Sequence, residues 1–239
     1  MTTQFFKAAL MSALLITLAI ASPFAAAQHS HSDIEFEYDN DKIAIEFGSE
    51  GRVFEADFAI SGAFEQETDD PGIASEPDEG MGVNADDIID YQILGPLEYH
   101  NGTAFATVPT GGSIVIGDNP TGGLTVDANT IGPASGSGII AMADSLGEVH
   151  THVEYFLDPI SFDTDEYGAY ALLMQLTTDA SGIAPSDPFY VVFNFGLEES
   201  VFENAVGAFA TKVPEPTSLA FAAAAMVLGL KFFPRRSGI

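Results

Sequence analysis

The chain has no cysteine, so disulfides, thiolate metal sites and cysteine nucleophiles are excluded and the fold must rest on its apolar core. Positive charge is scarce as well: 7 lysines and arginines stand against 35 aspartates and glutamates, for a net charge of −28. Of those seven, Lys7, Lys231, Arg235 and Arg236 lie toward the two ends, and the stretch between keeps only Lys42, Arg52 and Lys212. A body this acidic repels nucleic acid and anionic lipid; it excludes nucleic acid as a partner and suits a salt-rich exterior or bound divalent cations. Several catalytic signatures are missing too: there is no G-x-S-x-G elbow, no phosphate loop, no G-x-G-x-x-G and no His-Glu-x-x-His helix. Ser135 sits in Gly132-Pro-Ala-Ser-Gly-Ser-Gly138, which reads as a loop before a strand rather than a nucleophile turn.

Core-forming material is plentiful, with 46% hydrophobic residues and 19 phenylalanines, so acidity here does not mean disorder. Short runs of period two, and buried runs of four to eight, alternate with Gly, Pro, Asn and Asp, which predicts an all-β, antiparallel β-sandwich or jelly-roll-like domain. Strands are expected near residues 32–38, 43–48, 53–60, 88–94, 97–100, 103–108, 113–117, 123–127, 138–143, 149–157, 168–177 and 188–195. Residues 168–176 and 188–195 are apolar on both faces and should be central. Residues 97–108 read as a hairpin around Asn101-Gly102, a dipeptide suited to a type I′ turn. One short helix should follow Gly196, with Val201, Phe202, Ala205, Val206 and Phe209 on one stripe and Glu198 and Glu199 at its start. Residues 66–90 carry little apolar period and read as mostly loop, and the acidic groups there (Asp69, Asp70, Glu76, Asp78, Glu79; Asp86, Asp87, Asp90) fit no EF-hand spacing, although calcium could sit on such loops.

The two ends read as sorting segments. Lys7, the apolar stretch Ala8 to Ile20, and Ala25 and Ala27 at an A-x-A site predict a signal peptide over residues 1–27, with the mature chain beginning at Gln28. Residues 28–212, about 180 in number, then form a single extracytoplasmic domain. Pro214 and Pro216 break any helix or strand that would run onward. After them come the apolar run Leu219 to Leu230 and Lys231-Phe-Phe-Pro-Arg-Arg236, which predict a short transmembrane helix with a cytoplasmic terminus.

The order Val213-Pro-Glu-Pro-Thr-Ser218, apolar segment, basic end resembles the PEP-CTERM sorting signal of bacterial proteins that an exosortase handles at the outer face of the inner membrane. The resemblance covers residues 213–239. It implies an exosortase-type processing enzyme and the inner membrane as partners, with a surface polysaccharide as a further one. It also implies anchoring through the C-terminus, followed by a cell-surface or extracellular location after processing.

Histidine carries the remaining chemical signal. Four of the five histidines form two His-x-His pairs, His29 with His31 and His150 with His152. Residues two apart on a strand point the same way, roughly 6.5 to 7 Å apart, so two imidazoles can converge on one cation. Over residues 148–157 the parity places Glu148, His150, His152 and Glu154 on the polar face; near the N-terminus it places His29, His31, Asp33, Glu35 and Glu37 together, opposite Ile34, Phe36 and Tyr38. His100 ends a strand that also carries Glu98. His29, His31, His100, His150 and His152 are therefore the candidate metal ligands, with zinc or another late divalent ion suited to nitrogen and oxygen donors.

His150-Thr-His152, then Tyr155 and Phe156, then Gly168-Ala-Tyr170 resembles the H-x-H, aromatic, G-x-Y pattern of bacterial surface-anchored proteins associated with zinc acquisition. A His-x-His segment just after the signal peptide is similar to metal-regulated PEP-CTERM proteins. The expectation is an exported surface or extracellular-matrix protein with a binding or structural role rather than an enzyme. The alternative is a secreted metal-dependent hydrolase or oxidase, in which the same histidines leave an open position that activates water.

Overall fold

Alternating burial along β1, where Ile34 and Phe36 are buried and Glu35 and Glu37 are not, shows how period two builds this chain. A computed structural model describes residues 33–48, 51–61, 65–136, 140–158 and 166–213. His29, His31, the leading segment and the tail from residue 214 onward lie outside the described residues. In chain order the strands begin with β1 (Ile34–Asp39), β2 (Lys42–Ile45), β3 (Val53–Asp57), β4 (Glu67–Thr68), β5 (Ile73–Ser75) and β6 (Ile88–Ile93). They continue with β7 (Glu98–His100), β8 (Phe105–Ala106), β9 (Ser113–Ile116), β10 (Leu124–Asp127) and β11 (Ala134–Ser135). The last are β12 (Ala141–Met142), β13 (Val149–Thr151), β14 (Tyr155–Asp158), β15 (Gly168–Thr178) and β16 (Phe189–Phe195), followed by one helix, α1 (Glu199–Ala210).

These strands make three open sheets, ordered β13-β5-β1-β2, β10-β9-β14-β4 and β11-β6-β15-β16-β3, the last extended by β12, β7 and β8. Pairing is antiparallel except between β1 and β5 and between β16 and β3. Among the described residues the fold is thus mostly β with a single α-helix, and no helix there is long and apolar enough to cross a membrane.

The two long strands are central, as their composition requires. Tyr170, Leu172, Met174 and Leu176 of β15 and Phe189, Val191, Phe193 and Phe195 of β16 face the main core. On the other face, Ala169 and Ala171 with Tyr190 and Val192 receive Phe202, Ala205, Val206 and Phe209 of α1. The alanines keep that face low enough for a helix to lie on it, so both faces of the sheet are dry. At the end of α1, Lys212 pairs with the Glu98 carboxylate, which also accepts a 2.8 Å hydrogen bond from the Tyr190 hydroxyl, and its ammonium lies 4.4 Å from the Phe105 ring centre.

Two expectations need correction and a third gains detail. Residues 149–157 are not one strand: the ladder breaks at 152–154, and the chain passes from the first sheet, where β13 pairs with β5, to the second, where β14 pairs with β9. The alternation runs straight through the break, and only the partners change. The segment 66–90 is mostly loop, as expected, but it also carries β4, β5 and a 3-10 turn at Pro77–Glu79, and Ile73, Ala74 and Ser75 are buried. The hairpin at 97–108 closes through four residues, not a two-residue type I′ turn: Tyr99 pairs with Ala106 and His100 with Phe105. The Asn101 side-chain oxygen accepts from the amides of Thr103 and Ala104, and only Gly102 takes a positive φ, +84°.

Because Phe202 is 2% exposed and anchors α1 on the alanine face, Phe202→Ala should cost about 3–5 kcal/mol in urea unfolding. A loss under about 1 kcal/mol would show that the helix is not part of the cooperative core.

Candidate metal centre

Strand register builds the site. In the first sheet β5 runs between β1 and β13: Ile34 and Glu35 lie beside Ile73 and Ala74, and Thr151 and His150 beside the same two residues from the other side. One step beyond, the amide of Ile34 donates to the carbonyl of Gly72 at 2.8 Å, so Asp33, Gly72 and His152 follow on as the next row across the strands. Ile34, Ile73 and Val149 point into the core. Their neighbours Asp33, Glu35, His150 and His152 therefore share the opposite face, as the parity predicted for each strand alone.

On that face the middle strand presents only Gly72 and Ala74, so side chains from the two outer strands can lean over it. Ligand-type atoms of Asp33, His150 and His152 all lie within 4.8 Å of one another. Nε2 of His150 is 3.4 Å from Oδ2 of Asp33, beyond the mode of a charge-assisted hydrogen bond. It is close to the ~3.3 Å that separates two ligands bound tetrahedrally at about 2.0–2.1 Å from one zinc ion. The two imidazoles are nearly parallel, with centres 5.7 Å apart and planes at 30°. The side chains of His150, His152 and Asp33 are 50%, 39% and 25% exposed, so the group opens to solvent.

A second group, Asp69, Asp70 and His152, shares one residue with the first. Nδ1 of His152 lies 2.9 Å from the carbonyl oxygen of Asp69 and 3.9 Å from Oδ1 of Asp70. A carbonyl can only accept, so Nδ1 carries the proton and Nε2 keeps the lone pair. The Asp69 contact thus orients the ring in the way outer groups orient metal-bound histidines, leaving Nε2 as the nitrogen open to a cation. Around His150 the outer group is Glu76, whose Oε1 lies 3.8 Å from Nδ1. The surroundings are strongly negative: burial, then Glu46, Glu79, Glu76 and Asp33, push the Glu35 carboxyl above its usual range.

The other sequence candidates are distributed as follows. His100 is not brought to this cluster: it is 5% exposed in the β7–β8 hairpin, accepts the Gly102 amide at Nδ1 (3.2 Å), and meets the Phe105 ring edge-on. Glu98 turns to Tyr190 and Lys212, away from His100. Glu154 lines a cleft with Asp57, Glu67 and Asp69 rather than joining the histidines. Of the acidic loop residues, Asp87 accepts from Asn84 and Asp90 from the Tyr91 amide. The sequence gives no sign that Asp69, Asp70, Gly72 and Glu76 adjoin the histidines, since a three-residue strand between a proline and an acidic turn shows no period that would place them there.

Burial holds the His100 imidazole below its ordinary value of 6.5. As pH falls through that range the unfolded chain takes up the proton before the folded domain does, so this residue's contribution to stability is lost toward acid. Urea midpoints measured at about pH 7.5 and about pH 5.5 should fall further for the parent than for His100→Gln. Equal falls would show that His100 titrates freely in the fold.

Neither a scan against protein-family models nor a search of curated proteins returns a match for this chain.

Proposed function

We propose that this is an exported, exosortase-sorted surface or extracellular protein whose β domain binds a divalent cation, zinc by preference, through Asp33, His150 and His152. The observation that carries the metal reading is the convergence of two imidazoles and one carboxylate within 4.8 Å across three strands. Two nitrogen donors and one oxygen suit zinc or another late divalent ion better than calcium, which takes oxygen ligands. A binding role is favoured over catalysis because the ligands stand on the solvent face of a sheet, half exposed in the case of His150. The three sheets are read as a sandwich-like arrangement with α1 on its outer face. Export and anchoring rest on the signal-peptide pattern of residues 1–27 and the PEP-CTERM-like order of residues 213–239.

Zinc should stabilise the folded domain by mass action, by about 2.7 kcal/mol at a free concentration one hundred times the dissociation constant. The His150→Ala, His152→Ala double variant should lose that gain while its metal-free stability stays within about 0.5 kcal/mol of the parent, since both rings lie outside the core. Thermal melts with and without zinc check this, and equal zinc stabilisation of the two proteins would assign binding to the acidic surface instead.

Location has its own test. The domain is closed by α1, the Lys212–Glu98 pair and buried Val213. Truncation after Val213 should therefore release it from the envelope as a folded, soluble fragment. Fractionation with circular dichroism of the released material checks this; an unfolded fragment would make the tail part of the core.

A further inference from the structure

Gly72 stands between the two side chains that must meet. A Cβ built on it would lie 2.6 Å from Oδ1 and 2.9 Å from Cγ of Asp33, and 2.9 Å from Cε1 of His152. Non-bonded carbon and oxygen atoms do not approach so closely, so any side chain here would occupy the space that the carboxylate and the imidazole now share. The backbone gives no other reason for glycine at this position, because its φ lies outside the left-handed region that L side chains avoid. Both displaced groups have somewhere to go, since Asp33 and His152 are partly exposed and can rotate toward solvent without disturbing Ile34 or Ile73 beneath.

Resting on the metal reading above, we propose that Gly72 is the positioning residue of this centre: the missing side chain sets the separation at which Asp33 and His152 face one cation. The neighbouring row supports the same logic. There the middle strand carries Ala74, 2% exposed, between Glu35 and His150, and the closest approach of His150 is made not to Glu35 in its own row but diagonally to Asp33, in the row that holds the glycine. The centre therefore draws its ligands toward the one position of β5 and its approach where nothing rises from the backbone. Gly72 touches no metal in this scheme and acts only through the two ligands that flank it.

The test compares parent, Gly72→Ala and the His150→Ala, His152→Ala double variant by calorimetric titration with zinc chloride, alongside melting of each protein after chelation. Gly72→Ala should bind zinc at least about tenfold more weakly than the parent, while its metal-free melting temperature stays at or slightly above the parent's, as expected where alanine fits the backbone. Parent-like affinity in Gly72→Ala, with the double variant silent, would overturn the role of Gly72 and leave the metal centre standing. A metal-free melting temperature lower by more than about 5 °C would also overturn it, by showing that the glycine serves the fold. Absence of zinc binding by the parent would remove the centre and this inference together.

Discussion

Three residues, Ile73 to Ser75, connect parts of the chain that are otherwise remote. β5 pairs in parallel with β1 on one side and antiparallel with β13 on the other, so it alone places Asp33 opposite His152. Its side chains explain the asymmetry of the sheet: Ile73 enters the core, while Ala74 barely rises on the other face. A β-branched or aromatic residue in place of Ala74 would suit strand formation better but would fill the trough that the flanking side chains bridge.

The support behind this sheet comes from β15 and β16, which are dry on both faces. Tyr170 and Phe195 meet edge to face, Phe58 stacks on Phe193, and Tyr155 packs on the same Phe193 ring. The Tyr155 hydroxyl is fully buried without a hydrogen-bond partner among the described residues. The aromatic layer is therefore held by shape and area more than by polar pairing, which costs that hydroxyl its water. With no disulfide to assist, such a layer is the rigid backing against which a short, partly exposed strand such as β13 can hold a fixed position.

Much of this was legible in the residues. Alternation located most of the strands near their observed bounds, those expected at 103–108 and 138–143 holding only the two-residue β8 and β12, and the stripe Phe202, Ala205, Val206, Phe209 located the helix. Parity put His150 with His152, and Asp33 with Glu35, on polar faces. Which faces would adjoin was not legible, because β5 lies in an acidic segment too short for any period to show. His100 illustrates the opposite limit: its place beside Glu98 in sequence suggested a polar face, but that face is the one α1 covers, and a burying neighbour more than a hundred positions away leaves no mark on a local pattern. The break between β13 and β14 is of the same kind, since a strand that changes partners keeps its alternation.

The three cations among the described residues are each held by a carboxylate of their own fold: Lys42 at 2.6 Å and Arg52 at 3.3 Å from Asp187, and Lys212 on Glu98. None is left to serve as a positive foothold for another molecule, and the outward field is of one sign. Two such domains approaching each other meet repulsion that fades only within a Debye length, about 8 Å at physiological ionic strength. At high local density they would behave as mutually repelling colloids, evenly spaced, and multivalent cations rather than direct contact would set how closely they pack.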